Sequence, residues 1–264
     1  MNVYPHRTRT HKIFLILFVM LFSGISLAQQ YGDFSYTTTE DGVLITEYCG
    51  SGGAVTIPSS INGLPVIGIY GYAVYVEGGM FWGGAFAHRS SVTNITIPNS
   101  VLWIAEEAFY YCTGLTSINI PDSITGISRS AFWGCSNLVD VTIGNSINAI
   151  SDYAFALCDK LESVYFMGNP PPYYASTIFE GSYPTVYYRY GTTGWPDMFA
   201  GRQTALWRPA VKASDNQFTS SPEGFRFRFT GPPSVSAIVE INSNIVHNQW
   251  IPVYTNTPFL GEAE

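Results

Sequence analysis

Between Asn94 and Glu162 one 23-residue sentence is written three times, as NITIPNSVLWIAEEAFYYCTGLT, SINIPDSITGISRSAFWGCSNLV and DVTIGNSINAISDYAFALCDKLE. Seven columns are identical in every copy: Ile97/Ile120/Ile143, Ser100/Ser123/Ser146, Ile104/Ile127/Ile150, Ala108/Ala131/Ala154, Phe109/Phe132/Phe155, Cys112/Cys135/Cys158 and Leu115/Leu138/Leu161. Two more stay aliphatic, Ile95/Ile118/Val141 and Val101/Ile124/Ile147. A fixed period of this length marks a protein built of stacked coils. One coil buries too little apolar surface to offset the backbone entropy of fixing it. Each must therefore lean on its neighbours, and the ends need caps.

Each copy opens with an alternating segment, Ile95 and Ile97 on one side and Asn94 and Thr96 on the other, the pattern of a short half-buried strand. Pro98 and Pro121 then end the strand, because proline has no N–H to give a ladder. Asn99-Ser100, Asp122-Ser123 and Asn145-Ser146 supply turn chemistry. Val101 and Ile104, and their counterparts, return the chain to the core. Ser128 and Ser151 stand where they would cap a very short helix, with Asp152 in its first turn. Ala and Phe are its buried pair, and Cys and Leu close the coil. The fold class is thus a β-rich repeat solenoid, one short strand plus a short helix or turn per coil, followed by a small all-β C-terminal module.

The pattern I-x-I-P-x-S-V-x-x-I-x-x-x-A-F-x-x-C-x-x-L resembles the BspA-like leucine-rich repeat, over roughly Phe34 to Trp207. The resemblance implies an exported or surface-borne bacterial protein. Two departures stand out: Gly144 replaces the proline of the other copies, and the first copy is interrupted.

Residues 1–28 read as a secretory signal peptide. Arg7, Arg9 and Lys12 precede the apolar run Ile13 to Phe22, and Ser26-Leu27-Ala28 offers small residues for cleavage near Ala28. The run is too short to span a membrane, which takes about 20 apolar residues. No transmembrane segment remains after its removal, which leaves 9 basic against 19 acidic residues. Such an acidic chain lacks the basic footprint of a nucleic-acid partner.

Residues 31–53 read as an N-terminal cap hairpin around Asp41-Gly42, and 54–162 as the repeats. Ala85-Phe86 lies 23 residues before Ala108-Phe109, yet Ile57 lies 40 before Ile97, so the first repeat holds an insertion, placed at 70–83. It is either a loop folded on its own side chains or an aromatic recognition loop. The family resemblance implies a loop at Ile61-Asn-Gly-Leu64-Pro-Val66. Residues 163–207 read as a C-terminal repeat cap; they look like the family's terminator, in which a broken repeat covers the last open coil with aromatics. Residues 208–222 form a linker. Residues 223–264 form a short β module, with strands at Phe225–Phe229, Val235–Ile241 and Gln249–Tyr254.

No catalytic set, cofactor site or metal site is expected. His88 and His247 lie in different modules, and His88 reads as a solvated surface residue. Zinc-ligand spacing is absent. Glu106-Glu107 reads as a solvated pair, since adjacent carboxylates do not face one cleft. Three stacked cysteines cannot all pair, so buried reduced thiols are expected despite an oxidising destination.

What remains for function is the outward aromatics. Trp103 occupies a column otherwise filled by Gly126 and Ala149. Tyr110, Tyr111 and Trp133 flank the Phe column, Tyr165 lies on the outer strand face, and Trp82 sits in the insertion. Tyr110 and Trp133 either stack on each other across coils or form a contact patch. The reading is a non-enzymatic exported solenoid that binds an unknown protein partner at the cell surface. The alternatives are a carbohydrate-binding module using Trp82, Trp103, Tyr110 and Trp133 as sugar platforms, or a purely structural surface component.

Overall fold

The computed structural model describes residues 29–76 and 79–207, with side chains over 29–70 and 83–207, and beyond these the backbone of short strands between 210 and 263. Successive coils lie on one another in register, and the core is a continuous column of side chains down the stack. Each coil runs along three sides. The first is the strand that opens each copy: Ser117–Ile120, Asp140–Ile143, Ser163–Phe166 and Thr185–Tyr188 pair in parallel, and Arg202–Leu206 continues the ladder. Gly53–Thr56 pairs with Val92–Thr96 on the same side. The second side is a ladder of two-residue strands, Trp103–Ile104, Gly126–Ile127, Ala149–Ile150 and Tyr173–Tyr174, led by Leu64–Ile69.

The third side carries the Ala-Phe-x-x-Cys segment, and there the expected short helix does not form. Alternate N–H groups leave the coil. Glu107, Phe109 and Tyr111 donate to Arg129, Ala131 and Trp133 of the next coil, while Ala108, Tyr110 and Cys112 donate three residues back. Two positions per coil adopt positive φ: Glu107, Ser130 and Tyr153 (57°, 53° and 60°), then Tyr111, Gly134 and Leu157 (53°, 72° and 52°). A left-handed residue every fourth position cannot propagate an α-helix. Ser128 and Ser151 therefore cap nothing; Ser128 accepts one turn bond from Ala131 and hands its own N–H to Ile104 of the previous coil. Among the described residues the architecture is strands and turns throughout.

The Phe column is a stack of rings. Phe86, Phe109, Phe132 and Phe155 lie 4.9–5.0 Å apart, with interplanar angles of 7–21°. Tyr48 of the N-terminal hairpin extends it at 5.2 Å and Phe179 at 6.1 Å. The spacing follows from the strand-to-strand distance of about 4.8 Å, which sets the rise of one coil. Phe179 reveals a coil that the sequence reading treated as a broken terminator. Ile178-Phe179 fill the Ala-Phe columns and Ser182 the Cys column, at a spacing of 24 instead of 23.

The buried thiols have a specific task. The S–H groups of Cys112, Cys135 and Cys158 donate to the carbonyls of Phe86, Phe109 and Phe132, each one coil back, at 2.9–3.2 Å. Ser182 repeats the contact with its hydroxyl to Phe155 O at 2.9 Å. All four cysteines are free, with Cys49 exposed. Burial pushes the Cys112 and Cys158 thiols up to about 12 and that of Cys135 well above its ordinary value, so they stay protonated donors. In the first coil Arg89 takes this column and reaches Glu47 of the cap hairpin at 3.0 Å.

Proline and its replacements explain where ladders stop. Pro121 has no N–H to give, whereas Gly144, Met167 and Arg189 in the same column donate to Ile120, Ile143 and Phe166 at 2.9–3.1 Å. Gly144 thus lengthens the ladder by one bond. A Cβ there would lie 2.7 Å from the Asp122 backbone, which excludes any other residue at this packing.

At the N-terminal end Phe34–Thr38 and Val43–Tyr48 form an antiparallel hairpin, with Gln29–Tyr31 on its outer edge. Ile61 to Leu64 is a second hairpin rather than a loop: Asn62 (φ 51°) and Gly63 (φ 82°) form a two-residue turn of mirrored type. The insertion is a third, Gly71–Val76 against Gly79–Gly84, closed at its base where Ala85 N–H donates to Tyr70 O at 2.9 Å. At the other end Trp195 and Phe199 pack on Phe166, with Tyr188 stacked on Trp195 at 5.5 Å.

Residues 1–28, where the signal peptide is expected, lie outside the described residues. In the C-terminal part the expected Phe225–Phe229 strand is split into Gly224–Arg226 and Phe229–Thr230, which pair with different partners. Ala237–Ile241 pairs with Ile251–Asn256. Ala210–Val211 and Thr219–Ser221 are strands inside the expected linker.

Candidate functional site

The outward aromatics expected to carry function divide among the three sides. On the turn side, His88, Tyr110, Tyr111 and Trp133 form one cluster. Tyr110 and Trp133 stack face to face at 4.8 Å and 7°. His88 stacks on Tyr111 at 5.6 Å and 11°, and Tyr111 meets the edge of Trp133 at 4.9 Å and of Tyr110 at 4.8 Å. These residues occupy the two columns that follow the Phe stack. In the first of them Ala87 precedes Tyr110 and Ala156 follows Trp133, so the ring pair is bounded by small residues on both sides.

The second column works by a different rule. His88, Tyr111, Gly134, Leu157 and Gly181 all take positive φ, between 52° and 74°. Tyr111 lies over Gly134, where an added Cβ would meet its ring at 3.0 Å; Leu157 lies over Gly181 in the same way. A large side chain in one coil is thus seated on a glycine in the next, at the cost of a left-handed backbone under a non-glycine residue. Tyr111 is 38% exposed, whereas Tyr110 and Trp133 are partly buried. Burial raises the Tyr110 hydroxyl above its ordinary range, with Tyr111 and Glu107 adding to the effect. Burial, then Glu106, raises the Glu107 carboxyl in turn.

Trp103 is elsewhere. On the second side its indole covers Gly68 of the previous coil, 2.8 Å from where a Cβ would stand, and it is a partly buried packing residue. Tyr165 lies on the strand side, stacked on Tyr187 at 5.1 Å and edge-on to Trp207 at 6.5 Å. Its hydroxyl is raised, chiefly by burial. Trp82 pairs with Ala73 in the inserted hairpin, and its side chain lies outside the described residues. Three of the six candidates, Tyr110, Tyr111 and Trp133, therefore share one surface. His88, read from sequence as merely solvated, joins them. The signal that would have found it is its place in the Tyr111 column.

Among the described residues no three His, Cys, Asp or Glu side chains gather as a metal site requires, and no helix is long and apolar enough to cross a membrane.

Comparison with known proteins finds a repeat-family match over part of the chain and a set of distant structural neighbours. Residues 83–184 match the BspA type leucine rich repeat region, in six copies. No curated protein matches the chain. Among solved structures it is similar to a leucine rich repeat protein of T. pallidum, at 26% identity and a TM-score of 0.40, covering 61% of this chain and 86% of that one. A leucine-rich repeat protein of Bacteroides capillosus is 23% identical with a TM-score of 0.37, covering 62% and 99%. A leucine rich cell surface protein of Faecalibacterium prausnitzii is 20% identical with a TM-score of 0.34, covering 69% and 47%.

Proposed function

Since residues 83–184 are a BspA-type leucine-rich repeat region, we propose that this protein is an exported, non-enzymatic scaffold that binds another protein at or outside the cell surface. The observation that carries the reading is the His88–Tyr110–Tyr111–Trp133 cluster. Aromatic groups dominate the energetics of protein contacts because they bury a large area while losing little rotamer freedom. Here the rings are locked to a rigid ladder before any partner arrives, which reduces the ordering cost of association. Tyr110 and Trp133 already present one ring face to each other, so the faces a sugar ring would take are partly used. That favours a protein partner over a glycan at this place.

Charge suggests what the partner looks like. Residues 29–207 hold 14 acidic and 5 basic side chains. A partner with a basic surface is steered to such a scaffold, faster at low salt than at high. Export rests on residues 1–28, whose basic start, apolar run and small-residue end fit a cleaved leader.

The test is an array of secreted and surface proteins probed with the full chain and with the Tyr111→Ala/Trp133→Ala double variant. Specific partners weakened about 100-fold by the double variant support the reading, since two hot-spot losses of ~1.4 kcal/mol each amount to that factor. Partners bound equally by both forms, or an array silent for the wild type, would refute it.

A further inference from the structure

The cluster on the turn side leaves a second feature unexplained. A groove of about 280 Å³ runs along the corner where the strand side bends into the next turn, beside Gly144. Its polar lining comes from the strand residues Asn119 and Thr142 and from the turn residues Asn99, Asp122 and Asn145. Met167 supplies partly exposed apolar surface, and Arg189 joins the lining. Gly144, the first residue of its column after Pro121, itself lines the groove.

The polar groups are held in place. Asp122 Oδ1 accepts from Asn145 N–H at 2.8 Å and Oδ2 from Asn145 Nδ2 at 3.3 Å, while Ser146 Oγ donates to Asn145 Oδ1 at 3.0 Å. A Cβ at position 144 would stand 2.7 Å from Asp122 Oδ1, so the glycine is what permits this arrangement. Thr142, in the outward column of its strand, is 4% exposed and lines the groove.

We propose that this groove is a binding site for a neutral oligosaccharide, taking one or two sugar rings. Primary amides and a threonine hydroxyl offer donors and acceptors side by side, which matches ring hydroxyls that both give and accept. One carboxylate and one guanidinium leave the lining without net charge, so neither a phosphate nor a cation is favoured. Met167, partly exposed, meets the C–H face of a ring. The volume of about 280 Å³ falls just below the roughly 300–1,000 Å³ of small-ligand clefts, as suits a short sugar. A peptide adding itself as a strand is disfavoured, because Asp140–Ile143 is already paired on both sides, by Ser117–Ile120 and Ser163–Phe166.

The experiment is calorimetric titration of the full chain with neutral gluco-, manno-, galacto- and xylo-configured di- and trisaccharides. At least one should bind, and binding should weaken about tenfold in Asn119→Ala and in Arg189→Ala, the loss of one or two hydrogen bonds. Asp122→Ala should weaken it further, with the thermal transition recorded to confirm folding. Trp133→Ala, on another side of the solenoid, should leave it unchanged. The proposal is overturned if none of the sugars binds, if binding survives Asn119→Ala and Arg189→Ala intact, or if it is lost in Trp133→Ala. The protein-binding reading stands or falls separately, because its variants lie outside the groove.

Discussion

Two ring stacks run side by side on the turn side of the solenoid, one inside the backbone and one outside. The inner stack joins Tyr48, Phe86, Phe109, Phe132, Phe155 and Phe179 without a gap. The outer one, in the column next to the Phe series, holds the face-to-face pair Tyr110 and Trp133 at nearly the same spacing, 4.8 against 4.9 Å, with His88 on Tyr111 in the column beyond it. The ladder imposes this spacing on neighbours in a column, so aromatics there can stack whatever their role. Stacking by itself is therefore no mark of function. What distinguishes the outer pair is its limits: Ala87 and Ala156 end it, whereas nothing interrupts the inner series.

The largest expected difference comes from truncating one member of each stack. Phe132→Ala should cost about 3–5 kcal/mol in denaturant unfolding, by lost transfer energy and by the cavity left behind. Trp133→Ala, one residue away but partly exposed, should cost only about 1–2 kcal/mol. Equal costs would erase the distinction between core and surface stack.

Alkali sharpens it next. The buried thiols have folded values raised above the ordinary 9.0, to about 12 for Cys112 and Cys158, with burial the cause. Above pH 9 the unfolded chain releases these protons and the folded one retains them. Stability present below pH 9 should thus be lost as pH rises toward 12, by an amount on the order of a few kcal/mol. Serine at Cys112, Cys135 and Cys158 together should flatten the decline, leaving the shared tyrosine background, as seen in urea midpoints across that window. The choice of serine follows the chain itself, since Ser182 already makes this contact.

The smallest expected effect concerns the seating of Tyr111. Gly134→Ala introduces a Cβ at φ 72° and 3.0 Å from the Tyr111 ring. It should destabilise by about 1 kcal/mol and alter tryptophan emission from Trp133, against which Tyr111 packs. Unchanged emission would mean that the glycine does not seat the ring.

How much of this was legible in the sequence depends on period. The columns, the inward Ala-Phe pair, the buried thiols and the cap hairpin at Asp41-Gly42 follow from repetition and turn chemistry alone. The helix did not, because Glu107, Tyr111, Tyr153 and Leu157 occupy left-handed positions that their residue types disguise. Only Gly134 and Gly181 hinted at it. The coil at Ile178-Phe179 escaped because one extra residue breaks the count, and Asn62-Gly63 was a hairpin signal read as a loop. Trp103 looked like an exposed aromatic until Gly68, in a coil with no matching repeat, proved to be its seat.

The inserted hairpin begins and ends at neighbouring points, Tyr70 and Ala85, tied by one 2.9 Å bond. At its foot Gly84 lies directly against Glu107 and Ala108 of the next coil, so this end of the hairpin is fixed in place. Extending both arms equally would carry the tip farther from the body while every column stays where it is. The first coil is therefore a mount with an adjustable arm, and length there can vary without renegotiating the rest of the molecule.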